Sequence, residues 1–234
     1  MTDDIATLPE RLLLAARSGE PTDSGLERLA TRPEDDLADT LSTERRAKAF
    51  WLNLYNAVVQ TELRRDPALY HDRRAFFSNP RVRVAGEWLS LDHIEHGILR
   101  RSHPVWGLGY VPDPSPSAFE RRFRLRGRDP RIHFALNCGA RSCPAVMPFH
   151  AERVDEELTA TTRDFLATET ERERVGPFTL LTVPRLLLWY RGDFGGGRGI
   201  RSLLRRYGVV EAGERVLLRY ADYDWSLSVP GVER

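Results

Sequence analysis

The chain predicts an α+β fold: a single domain of helices packed on a small, mostly antiparallel sheet, preceded by an N-terminal helical extension. Three observations carry this expectation. Helical and strand-like segments alternate without a regular βαβ rhythm. A long run of helical periodicity spans residues 43–65, and a period-two alternation of Ile132, Phe134 and Leu136 precedes a turn at Gly139. At 234 residues the chain is long enough to bury a substantial core. The extension is placed at 1–41 and the main α+β domain at 42–234.

Thr7-Leu8-Pro9-Glu10 has the form of a capping box and starts a helix reaching about Ser18. Two short helices follow, Asp23 to Thr31 and Pro33 to Asp39. The longest helix begins after Ser42 or Thr43 and ends near Arg65, just before Asp66-Pro67. Ala47, Phe50, Trp51, Leu54, Val58 and Val59 recur at helical spacing and form its buried face. Asn53, Asn56 and Gln60 make a polar stripe beside it. Asn is a poor helix-interior residue, so these amides need a reason: hydrogen bonding to a neighbouring loop, or orientation of a catalytic or substrate group.

Arg81–Val84 and Trp88-Leu89 read as two short strands around Ala85-Gly86-Glu87. Ser90 caps a helix over 91–101, whose acidic start and basic end, Arg100 and Arg101, complement its dipole. Residues 102–116 form a long Gly/Pro/aromatic loop of the kind used as a lid or binding loop. A short helix over Ser117–Arg124 leads to a buried strand, 131–137. Gly139 permits a sharp turn at its end, and Pro144 suits a helix-like start. A strong helix over 151–168, with Val154, Leu158 and Phe165 inward, is followed by a hairpin around 175–178 and a strand, Thr179–Val183. Pro184 opens a helix to Arg191, 192–197 is a flexible break, and a basic helix (200–207) and a strand (215–220) close the chain.

Composition bounds the function. The chain is 41% hydrophobic and 29% charged with a formal net charge of +1, which gives no reason to expect a nucleic-acid or membrane partner. No stretch approaches the length of a membrane span, and the acidic start Met1-Thr2-Asp3-Asp4 lacks the basic region of a secretory signal. Two cysteines do not make a disulfide framework, so a reduced, cytoplasmic protein is expected. Gly195-Gly196-Gly197 lacks the Lys-Ser/Thr ending of a phosphate loop. No cofactor is expected, and the partner expected is a small-molecule or peptide substrate.

The chemistry concentrates at the end of the 131–137 segment. Thiol catalysis needs a thiolate, an imidazole to deprotonate it and a group to orient that imidazole. Cys138 or Cys143, His133 or His96, and Asn53, Asn56, Glu95 or Asp193 supply those parts, and chemistry alone prefers neither cysteine. A direct His133–Cys138 pair requires the strand to bend. Glu95 and His96 are adjacent on a helix and do not face each other as a pair. The arrangement resembles, in layout only, papain-like and transglutaminase-like thiol enzymes. Thiol-dependent hydrolysis or acyl transfer on an amide or acyl substrate is the leading expectation. The alternatives are a non-catalytic binding module with structural cysteines, a Cys138–Cys143 disulfide, or zinc held by His133, Cys138 and Cys143 with His150 or His96.

Several stretches, in order from about residue 45 to 228, resemble the family called domain of unknown function 547 (DUF547). They are Ala49-Phe50-Trp51-Leu52-Asn53-Leu54-Tyr55-Asn56-Ala57, then residues 89–100 with Asp92, Glu95 and His96, and Asp129 to Cys138 with Ser142-Cys143-Pro144. Trp189-Tyr190-Arg191-Gly192-Asp193-Phe194 and Tyr223-Asp224-Trp225-Ser226-Leu227 complete the set. The family carries an acidic residue where this chain has His93, so His93 is given no role. The resemblance implies a fold neighbourhood and no reaction.

Overall fold

The structure is a computed structural model and describes residues 4–232. Its axis is helix α4 (Glu44–Arg65), capped by the Thr43 hydroxyl, which accepts from the Arg46 amide at 3.3 Å. Asp66, extended before Pro67, ends it. Phe50, Trp51, Leu52, Leu54 and Val59 are fully buried, because neighbours cover α4 on nearly every side.

Helices α1 (Leu8–Ser18), α2 (Asp23–Ala30) and α3 (Glu34–Thr40) precede it. Leu8, Leu12, Leu13, Leu29 and Leu37 join α4 in one apolar cluster, so the N-terminal helices share the main core. The capping box expected at Thr7 does not form. Thr7 sits in the helical region at φ −96°, ψ −1°, too tightly wound to cap α1 with its side chain. Asp4 instead caps a short 3₁₀ turn, Ile5–Thr7, accepting from the Ala6 amide at 3.0 Å.

After α4 come α5 (Arg73–Ser78) and an antiparallel hairpin of β1 (Pro80–Val84) and β2 (Glu87–Ser90). Next stand α6 (Ala118–Phe123), with a complete Ser117/Glu120 capping box, and α7 (Val154–Glu169). On α7, Val154 and Leu158 point inward as expected, whereas Phe165 is half-buried and Leu166 takes the inner position. The second sheet is β3 (Glu171–Val175), β4 (Phe178–Val183) and β5 (Val216–Tyr220). β4 pairs antiparallel with β3 and parallel with β5. Helices α8 (Leu186–Trp189) and α9 (Gly196–Arg206) flank it, and a second apolar cluster joins Phe134, Leu166, Leu181, Leu187, Phe194, Ile200 and Leu204. The fold is α+β. Among the described residues no helix is long and apolar enough to cross a membrane.

The predicted strand at 131–137 is not a strand. Residues Pro130–Phe134 form a 3₁₀ turn begun by Asp129, whose carboxylate accepts from the Arg131 amide at 3.1 Å. The alternation misled because every residue from Ile132 to Asn137 is buried. Ile132 and Leu136 enter the first core and Phe134 the second, so the segment is a plug between two cores with no open face. Its start is tied down by Lys48, buried on α4, which reaches Asp129 at 2.7 Å and Asp155 at 3.1 Å. Although burial raises it, hydrogen bonds from Arg131 and Lys48 hold the Asp129 carboxyl down at about 2.

The 192–197 stretch is not a flexible break either. Gly192 is wedged against the 102–116 loop, where a Cβ would meet the Gly109 carbonyl carbon at 2.4 Å and the Leu108 oxygen at 2.6 Å. The Gly192 amide donates to that Leu108 oxygen at 2.9 Å, and α9 begins at once, at Gly196.

Candidate active site

Asn53 and Asn56 position the thiol-bearing loop. The Asn56 amide donates to the Ala135 oxygen at 3.0 Å and accepts from the Asn137 amide at 2.9 Å. Asn53 does the same for one residue, bonding the Phe149 oxygen at 2.7 Å and the Phe149 amide at 2.9 Å. Both side chains are buried and spent on backbone groups, the first of the two reasons considered for them. Asn56→Ala leaves a buried carbonyl and a buried N–H without partners. At about 1–3 kcal/mol for each orphaned group, it is expected to lower stability by about 2–4 kcal/mol in urea denaturation.

From there the chain turns sharply. Gly139 has φ +87°, and a Cβ on it would lie 2.5 Å from Leu63 Cδ1, so only glycine fits this turn against α4. The turn brings both sulfurs to one hydroxyl: Tyr223 Oη is 3.3 Å from Cys138 Sγ and 3.2 Å from Cys143 Sγ. The Cys138 amide also donates to Cys143 Sγ at 3.0 Å. Both thiols are free, without a disulfide. They differ in acidity. Hydrogen bonds from the Cys143 thiol, the Tyr223 hydroxyl and the Ala140 amide pull Cys138 below the ordinary thiol value despite its burial. Burial and the neighbouring Cys138 push Cys143 well up.

The imidazoles sit across the same cavity. His133 Nε2 lies 2.8 Å from Asp193 Oδ2. A carboxylate only accepts, so Nε2 carries the hydrogen and the neutral ring has its free electron pair on Nδ1. Among the described residues Nδ1 has no hydrogen-bond partner. Burial lowers the His133 pKa, opposed by Asp193, so the ring is neutral at pH 7. Tyr190 stacks on it at 3.8 Å between centroids.

Asp193, whose side chain is 2% exposed, is held on both sides. Arg100 Nε reaches Oδ2 at 2.7 Å and Arg128 Nη1 reaches Oδ1 at 3.1 Å. Although its burial opposes this, hydrogen bonds from His133 and Arg100 hold its carboxyl far below the usual range. Arg100, placed by the sequence at the basic end of the helix, is 1% exposed and belongs to this cluster.

The helix expected over 91–101 is wound as a π-helix, His93–Leu99, with i→i−5 bonds such as Arg100 N to Glu95 O at 2.8 Å. The wider turn overturns the expectation that Glu95 and His96 diverge. Both face the cavity, with His96 Nδ1 3.6 Å from Glu95 Oε1. Arg100 Nη1 donates to that Nδ1 at 2.8 Å, which places the His96 hydrogen on Nε2, 3.7 Å from Asp92 Oδ1. Burial, partly opposed by Glu95, pushes His96 down to about 4. The Tyr190 hydroxyl donates to Glu95 Oε1 at 2.8 Å. Burial would raise Glu95, but its electropositive surroundings and this bond hold it ionised.

These groups surround a cavity of about 260 Å³ walled by Tyr55, Trp189, Tyr190, Tyr223 and Trp225, with Glu95, His96, His133, Cys138 and Cys143 on its surface. Val105 of the 102–116 loop stands at its rim, and the neighbouring Trp106 is 69% exposed. Among the described residues no three His, Cys, Asp or Glu side chains form a group able to hold a metal ion. His150, considered as a zinc ligand, turns to Glu157 at 2.7 Å and Glu10 at 3.2 Å.

Sequence reasoning did not single out Arg100, Arg128, Tyr190 or Tyr223 as members of the site. Tyr190 and Tyr223 stand inside quoted motifs, so their aromatic spacing was visible but its destination was not.

The model of a family described as "Protein of unknown function, DUF547" matches residues 39–166. That stretch holds Asn53, Asn56, Glu95, His96, His133, Cys138 and Cys143, while Asp193, Tyr190 and Tyr223 lie beyond it. No curated protein and no solved structure matches. With more than half of its length matched, the chain belongs to the DUF547 family.

Proposed function

We propose that the protein is a thiol-dependent hydrolase or acyltransferase acting on an amide or acyl substrate. Cys138 is the nucleophile, His133 the base and Asp193 the group that orients it. The observation that carries this reading is the fixed tautomer of His133: Asp193 occupies Nε2, leaving Nδ1 as the basic nitrogen in a cavity shared with Cys138. The acidity order of the two thiols favours Cys138. The Cys143 thiol and the Tyr223 hydroxyl, each hydrogen-bonded to Cys138, stabilise its thiolate. Burial and the adjacent thiols keep the Tyr223 phenol protonated, so it is a ready donor to an oxyanion formed at an attacked carbonyl. Glu95 and His96 shape the far wall, and Asn53 and Asn56 act as positioning residues.

In the reaction, His133 Nδ1 takes the Cys138 proton and the sulfur attacks the carbonyl carbon. The leaving group departs with that proton, and water or another acceptor then cleaves the thioester. The test is acyl-enzyme trapping. Short p-nitrophenyl esters are mixed with the protein and with Cys138→Ala, and the intact mass is read. One acyl adduct, mapped to Cys138 and absent from the variant, supports the reading. Adducts that survive in Cys138→Ala, or none at all across acyl lengths, remove it.

A further inference from the structure

The cavity has a charge character that the thiol reaction does not require. Its surface includes the carboxylates of Asp92 and Glu95 and, among the described residues, no lysine or arginine. Glu95 is 8% exposed, and among the described residues only its Oε1 is hydrogen-bonded, to Tyr190. Its second oxygen, without a hydrogen-bond partner among the described residues, is open to the cavity and free to accept from a ligand there. Opposite lies an aromatic cluster. Trp189 and Tyr223 are 4.8 Å apart, Trp189 and Trp225 5.6 Å, and Tyr223 and Trp225 4.5 Å between centroids. One cation already uses this cluster from outside: the Arg73 guanidinium carbon lies 4.9 Å from the Trp225 ring centroid. Arg100 and Arg128 are both paired with Asp193, and neither lines the cavity.

We propose that this cavity is an ammonium subsite: its ligand carries one primary or substituted ammonium group on a short apolar stem. The ammonium rests between Glu95 and Asp92 and against the faces of Trp189 and Trp225, and the stem runs along Tyr55 towards Cys138. Cation–π attraction and a buried carboxylate act together on such a group, and neither favours an anion or a neutral alcohol of equal length. The proposal deepens the thiol reading by naming the substrate class, and it rests on that reading only for the claim that the ligand is a substrate.

The test is a titration of n-butylammonium chloride into the ¹⁵N-labelled full chain and into Cys138→Ala, following the indole N–H signals. Of the five tryptophans, Trp189 and Trp225 line the cavity and Trp106 adjoins its rim, so Trp51 and Trp88 are the internal controls. The expected result is saturable shifts of the Trp189 and Trp225 signals in both proteins. Glu95→Gln weakens binding about tenfold or more, and Asp92→Asn, on the half-exposed rim, about threefold. If Glu95→Gln does not fold, Asp92→Asn carries the test. Equal shifts with butanol or butyrate, shifts with calcium chloride alone, or none, overturn the ammonium subsite. Because Cys138→Ala lacks the thiol, binding there stands or falls apart from the acyl-enzyme result.

Discussion

Cys138 is expected to alkylate rapidly with an apparent pKa below the ~8.5 of a free thiol, and Cys138→Ala to abolish that reaction. The thiolate is the nucleophile, so the rate follows its fraction, rising with pH through the pKa and then levelling. At Cys138 three hydrogen bonds favour the charged sulfur and outweigh its burial. At Cys143 burial dominates, and its proton is engaged with Cys138. Cys143 is therefore expected to stay inert up to strongly alkaline pH. Cys143→Ala keeps the reaction but moves its midpoint up, because one hydrogen bond to the thiolate is gone. The measurement is the iodoacetamide rate against pH, with the modified residue identified by peptide mass. Two inert thiols, or Cys143 reacting first, would end the assignment of Cys138 as nucleophile.

Asp193→Ala should cost about 3–5 kcal/mol of stability, the range for removing one partner of a buried ion pair. Arg100 would remain buried at 1% exposure without its carboxylate, and Arg128 and His133 would each lose a partner. The same cluster predicts a pH dependence. The folded pKa of Asp193 is depressed, so its contribution is fully present above the unfolded value of ~3.9 and is lost as pH falls below it. Urea denaturation of the wild type and the variant from pH 7 down to about pH 2 should show the two stabilities converging progressively below about pH 4. A loss of less than about 1 kcal/mol at pH 7, the size of an ordinary surface substitution, or parallel pH profiles, would show that Asp193 is not the anchor.

Most of the helices were legible in the sequence because their signals are local. The α4 boundaries follow from Thr43, whose side chain caps its own backbone three residues on, and from Asp66-Pro67. The hairpin β1–β2 was legible for the same reason. The 131–137 segment was misread because alternation implies a strand only when one face is open, and whether a face is open depends on what packs there. The π-helix was likewise hidden: an extra residue per turn leaves the apolar pattern of Leu91, Ile94 and Ile98 intact while it rotates Glu95 and His96 towards one cavity.

By itself, then, the sequence determined the α+β class, the long central helix, the glycine turn at 139 and the residue types from which a thiol site is built. Tertiary structure alone decided their assignments. It turned Asn53 and Asn56 into backbone clamps and drew Arg100 inward. It also brought Asp193 to His133 across 60 residues of chain. Such choices rest on long-range burial and charge pairing, whose energies depend on which distant groups share one low-dielectric space, and no local pattern records that.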